Sequence, residues 1–191
     1  MGWARNLTKK EREFLEALGA IVMFWNHVEN SMRVLVRRAT IMGPMEHRAM
    51  VVVANLGNVA LSDTLCALAD DHADDRAEHL RHCAKLFDAE RQYRNYYVHG
   101  PFTFRSTETE TDGVASSLTT RGGKLRAHSR AFSVGELHQF HDRLGVLQGY
   151  VGELLQDSIN LRGGASLSDL VKPALPPKLE VERVVVEAPD K

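Results

Sequence analysis

Two long apolar stripes constrain this chain more than any other feature of its sequence. In the first, Phe14, Leu18, Ile21, Trp25, Val28, Met32 and Leu35 recur at alternating steps of four and three. In the second, Leu137, Phe140, Leu144, Leu147, Val151 and Leu154 repeat the same rhythm. Such spacing places every member on one side of an α-helix, and a stripe of this length is buried only by lying lengthwise against other helices. Each stripe is preceded by a capping box, Thr8 with Glu11 and Ser133 with Glu136. There a hydroxyl and a carboxylate satisfy backbone N–H groups that the first turn leaves unpaired. A helical bundle is the predicted frame.

Between the stripes the chain reads as two further helical segments and an insert. Gly43-Pro44 is predicted to end the first helix. Residues 45 to 71 read as a helix broken near Leu56-Gly57-Asn58, with Asn58 or Ser62 capping the second piece. After the acidic turn Asp70–Asp75, a third helix is predicted from Asp74 to Val98, with Leu80, Ala84, Phe87, Arg91, Arg94 and Val98 along one face. Gly100-Pro101 would end it. Residues 101–133 change character. Phe102-Thr103-Phe104 alternates, and Leu118–Arg121 and Lys124–Ala127 flank Gly122-Gly123, the composition of a two-residue hairpin turn. The last helix is expected to stop at Gly163-Gly164. The fold class expected is therefore all-α: a four-to-five-helix bundle over residues 1–164, with a small β-hairpin inserted at about 101–133 before the last long helix. Residues 165–191 form a proline-containing tail, expected to be extended or mobile.

Charge and cysteine content narrow the function. The 191 residues carry 24 basic and 25 acidic side chains, a formal charge of −1. That balance excludes a generally cationic nucleic-acid coat or a polybasic membrane binder, but leaves room for a local basic patch. Cys66 and Cys83 are too few for a disulfide scaffold. With neither a bilayer-spanning run nor an apolar leader at Met1–Asn6, a cytoplasmic protein without membrane contact is expected. The pairs His79/His82 and His138/His141 lack a fourth ligand at zinc spacing and read as surface histidines. There is no Glu-x-x-His pair, glycine-rich phosphate loop or Gly-x-Ser-x-Gly elbow. Neither a metal nor a cofactor is expected.

Chemistry concentrates in Glu90-Arg91-Gln92-Tyr93-Arg94-Asn95-Tyr96-Tyr97-Val98-His99-Gly100. Within it, Arg94-Asn95-Tyr96-Tyr97-Val98-His99 resembles the signature of the HEPN superfamily (higher eukaryote and prokaryote nucleotide-binding domains). That signature is an Arg, a polar residue, and a His four to six residues on. At the level of architecture the resemblance spans residues 8 to 161; at the level of motif it rests on these six residues. It implies a metal-independent endoribonuclease, a toxin or defence effector acting on RNA, with an antitoxin or defence partner. His99 would be general acid–base on the ribose 2′-OH, Arg94 would stabilise the charged phosphate, and Asn95 would orient them. The products would be a 2′,3′-cyclic phosphate and a 5′-hydroxyl. These roles suit the residue types: an imidazole exchanges protons near neutral pH, and a guanidinium offers a permanently charged planar fork to phosphate oxygens. Family toxins controlled by a nucleotidyltransferase antitoxin carry a Tyr two residues after the His, where this chain has Pro101.

Helix geometry sets a condition on that chemistry. Five residues of ideal helix turn through about 500°, which leaves Arg94 and His99 about 140° apart. Either the helix loosens before His99 or the site is assembled from two chains. The resemblance implies the latter, and the long stripes also favour a homodimer. Glu90, one turn before Arg94, is expected to hold its guanidinium, and Arg91 and Tyr97 to line the cleft. Arg121, Lys124, Arg126 and Arg130, with His128 among them, occupy ten residues without a carboxylate and are candidate contacts to RNA phosphates. The alternative for this ribbon is an edge whose cations discourage strand pairing. The alternative for the whole chain is a non-catalytic helical homodimer acting as an RNA-binding or protein-interaction module. In that case Arg94 pairs with Glu90, Asn95 bonds nearby backbone, and His99 complements the helix C-terminus.

Overall fold

The computed structural model describes residues 7–40, 51–72, 75–99, 102–106, 111–121, 124–160, 167–179 and 182–185. At 102, 105–106, 111–112, 115–121, 124–129, 157–160, 168 and 182–185 it describes the backbone alone. The architecture is predominantly helical. Helix α1 spans Lys9–Thr40, α2 Asn58–Asp70, α3 Asp75–His99 and α4 Val134–Asn160, and residues 51–54 are also helical. Both capping boxes form. The Thr8 N–H donates to Glu11 Oε2 at 2.8 Å and the Glu11 N–H to Thr8 Oγ1 at 3.2 Å. At the start of α4, the Ser133 N–H donates to Glu136 Oε2 at 3.0 Å and the Glu136 N–H to Ser133 Oγ at 3.2 Å.

The interruption before α2 falls where expected but is capped differently. Gly57, at φ −73° and ψ 166°, is the N-cap and uses no side chain. Asn58 is the first helical residue, and Ser62 is buried inside the helix, its hydroxyl donating to the Ala84 carbonyl of α3 at 3.4 Å. The predicted stops at 43–44, 100–101 and 163–164, and the turn at Gly122-Gly123, lie outside the described residues.

The chain divides into two compact units, and α1, α3 and α4 contribute residues to both. One unit comprises Met23–Arg91 and Asp142–Pro177. Its core is helix against helix. The Trp25 indole of α1 stacks on Phe87 of α3 with ring centres 5.0 Å apart, and the Gln148 amide of α4 donates to Ser31 Oγ at 2.9 Å. Trp25, Val28 and Met32 of the first stripe and Leu144, Leu147 and Val151 of the second have no solvent exposure, which is the burial their spacing predicts. The first part of the tail has fixed partners here. The His82 Nε2–H donates to the Pro173 carbonyl at 2.7 Å, and Lys172 pairs with Glu78.

The other unit comprises Met1–Val22, Gln92–His141 and Lys178–Lys191. It holds a four-stranded antiparallel sheet in the order β1-β2-β3-β4: β1 Phe102–Ser106, β2 Thr111–Arg121, β3 Lys124–Phe132 and β4 Glu182–Val185. The expected hairpin is the β2–β3 pair, closed by Arg121 opposite Lys124. Two strands flank it. β1 pairs Phe102 with Ala115 through Ser106 with Thr111, and β4, from the tail, pairs Arg126 with Val185 through Ser129 with Glu182. A lone two-stranded hairpin is marginal in water, and the extra strands and an aromatic cluster supply what it lacks. Phe14 of α1 meets Phe104 and Phe132 at 5.6 and 5.4 Å. Tyr97 of α3 meets Phe132 at 4.6 Å and Phe140 of α4 at 5.4 Å. Among the described residues no helix is long and apolar enough to cross a membrane.

Candidate active site at the end of α3

The last two turns of α3 are anchored by tyrosines. Tyr93, Tyr96 and Tyr97 are buried, and Tyr93 also stacks on Phe140 at 6.0 Å. Burying that side leaves Arg94 and Asn95 half-buried and His99 exposed. Arg94 Nη1 donates to Asn95 Oδ1 at 3.1 Å and contacts Nε2 of His99. A guanidinium has only donors, so Nε2 stands as the acceptor in this contact. The condition drawn from ideal helix geometry does not hold: α3 is continuous through His99, and Arg94 and His99 meet within one chain. The angle of separation describes where side chains leave the helix. A flexible arginine stem spans the remainder when its target is the helix's final residue.

The expected supporting residues are placed otherwise. Glu90, 1% exposed, is held by Arg143 of α4, Nε to Oε1 at 2.9 Å and Nη2 to Oε2 at 3.2 Å. It therefore does not hold Arg94, because it lies on the buried face along which α4 packs. Burial pushes its carboxyl above the usual range, while hydrogen bonding and charge from Arg143 pull it back. Arg91 pairs with Asp88, with Nε and Nη2 at 2.9 and 2.5 Å from Oδ1. Tyr97 is buried, packed against Phe132 and Phe140.

Of the four candidate RNA-binding cations, Arg130 has a described side chain, and it pairs with Glu136 at 2.5 Å. Burial pushes the Tyr96 phenol upward, and the Arg130 charge pulls it back. The side chains of Arg121, Lys124 and Arg126 lie outside the described residues; their backbone register does not. β3 is paired on both sides, so its cations are not guards of a sheet edge.

Sequence reasoning missed a buried polar pair in the other unit. His79 is buried, not a surface histidine, with Nδ1 2.8 Å from the Tyr150 hydroxyl. Burial, reinforced by Lys172, pushes its imidazole down, and burial pushes the Tyr150 phenol up. Partners 71 residues apart leave no local spacing signal. Cys83 is a buried thiol pushed up to about 12 by desolvation, and both cysteines are free. Among the described residues no group of three or more His, Cys, Asp or Glu could hold a metal ion. No family model, curated protein or solved structure matches the chain.

Proposed function

We propose that the end of α3 is the active centre of a metal-independent endoribonuclease, acting as a toxin or defence effector and working as a homodimer. One observation carries the proposal: Arg94 bridges Asn95 and His99, so a phosphate-binding cation and a proton-transfer group share one exposed helix end. A phosphodiester is a stronger partner for the guanidinium than a neutral imidazole, because the contact becomes charge-assisted. On substrate binding Arg94 passes from His99 to the phosphate oxygens, and Nε2 is released to act as base. It takes the 2′-OH proton, the 2′-oxygen bonds to phosphorus, and the bond from phosphorus to the 5′-oxygen breaks. Protonation of that oxygen yields the 5′-hydroxyl beside the 2′,3′-cyclic phosphate. Attacking and leaving oxygens lie on opposite sides of phosphorus, so a second group is needed as acid, and His99 of the partner subunit would supply it.

A second reading keeps the fold and drops the chemistry: a non-catalytic helical homodimer that binds RNA or a protein. Engagement of Nε2 by Arg94 favours it, since a nitrogen already accepting a hydrogen bond is not an open base. Turnover of end-labelled RNA separates the two. His99→Ala and Arg94→Ala are each expected to lower cleavage by about 10²–10⁴-fold with unchanged helicity. Wild-type protein that binds RNA and cuts none supports the second reading. A sedimenting monomer removes the second imidazole and with it the homodimer mechanism.

A further inference from the structure

We infer that one face of the sheet is a track for the phosphate backbone of single-stranded RNA, completed by Arg183 on the C-terminal strand β4. The inference rests on the proposed ribonuclease reading for its substrate class; the register alone carries the placement. Side chains alternate between the faces of a strand, so alternate residues and directly opposed residues share a face. On β3, Lys124, Arg126, His128 and Arg130 are alternate residues. Arg121 stands opposite Lys124 on β2, and Arg183 stands opposite His128 on β4. All six therefore fall on one face, drawn from three strands.

The β2 positions on that face suit a polyanion, while β4 adds Val185 opposite Arg126. Opposite the β3 cations, β2 contributes Thr119 to Arg126, Ser117 to His128 and Ala115 to Arg130, all small and uncharged. Over the paired registers of β2, β3 and β4 the acidic residues, Asp112 and Glu182, fall on the other face. That other face is otherwise largely apolar, with Val114, Leu118, Leu125, Ala127 and Val184. A protein with formal charge −1 thus gathers cations on one side of a ribbon with no carboxylate among its paired positions there. Since β2 and β3 are interior strands, protection of an edge does not explain the five cations they carry; Arg183 stands on the edge strand β4.

The track has a direction. Beyond Arg130, the next residue on the same face is Phe132, which packs on Tyr97 of α3. Arg130 itself influences Tyr96, the residue after Asn95. The row of cations therefore leads to the turn that carries Arg94 and His99. Alternate residues on a strand are about 6.8 Å apart and neighbouring strands about 4.8 Å. One narrow double row of this kind follows a single backbone; it does not match the two separated backbones of a duplex.

The test is binding of the full chain to a labelled single-stranded 2′-O-methyl oligoribonucleotide, which cannot be cut by 2′-OH attack, across a salt series. Each phosphate contact contributes about 0.7 to the slope of log affinity against log salt for single strands. Arg183→Ala is expected to weaken binding and flatten the slope by about 0.7, with Arg183→Lys restoring both. Ser129→Glu makes the same change in charge on the opposite face, beside His128, and is expected to move the slope little. An unchanged slope in Arg183→Ala, no rescue by Lys, an equal effect of Ser129→Glu, or equal competition by duplex DNA would each overturn the track. Binding with these responses but no cleavage of ordinary RNA sinks only the enzyme reading. Cleavage that depends on His99 with an unchanged slope in Arg183→Ala sinks only the track.

Discussion

At the residue scale, arginine serves the last turns of α3 in two ways, once from α3 itself and once from α4. Arg94 holds an imidazole at an exposed end, and Arg143 pairs with a carboxylate that has lost its water. The second use is structural and predicts a stability effect. Arg143→Ala leaves Glu90 buried without its cation, and is expected to cost about 3–5 kcal/mol at neutral pH by urea unfolding. Because burial raises the folded-state pKa of Glu90, stability tied to its neutral form is full below the ordinary carboxylate value and is lost as pH rises through the folded value. The deficit in Arg143→Ala should therefore shrink as the solution is acidified. A deficit that is small and independent of pH would contradict this assignment. The residue types at the site were legible in the sequence, since Arg94, Asn95 and His99 stand in one short run. Their neighbours were not. Glu90 lies at hydrogen-bonding distance from Arg94 by helix spacing, yet its partner comes from 53 residues away, and only packing chooses between the two.

At the scale of elements, local rules held for the two capping boxes and failed for the N-cap of α2, which is Gly57. Both capping boxes form, and the apolar stripes are buried except at Leu18, which is half-buried. Ser133→Ala is expected to cost about 1 kcal/mol, read as a lowered midpoint in chemical unfolding, because the first turn of α4 loses its hydroxyl acceptor. No change in that midpoint would mean that the packing of Leu137 and Phe140 alone fixes the start of the helix. The β2–β3 hairpin was legible from its glycine pair and flanking alternation. β4 was not, because the prolines at 173, 176 and 177 drew attention to an extended tail. The valine-rich run that follows, Val181 to Val186, is the signal for a strand. Nothing in that run indicates which strand it joins, and its register beside β3 depends on a contact more than 50 residues distant.

At the scale of the whole molecule, acid sensitivity should come from the unit holding His79. Its imidazole lies below the ordinary value of 6.5 chiefly through burial, with Lys172 adding to the effect and Glu78 and Asp75 opposing it. The stability it contributes is complete above the ordinary value and is lost as pH falls through the folded one. Thermal midpoints should therefore drop on acidification below about pH 6.5, and His79→Gln should flatten that part of the profile. A profile unchanged by the substitution would assign acid sensitivity elsewhere. The proposed chemistry makes a claim that belongs to the assembled protein and its product. Wild-type protein, incubated with single-stranded RNA in excess EDTA, should cut it and leave 2′,3′-cyclic phosphate and 5′-hydroxyl ends, with both lost in His99→Ala. Intact RNA across varied substrates, or fragments ending in 3′-hydroxyl and 5′-phosphate, would contradict the account.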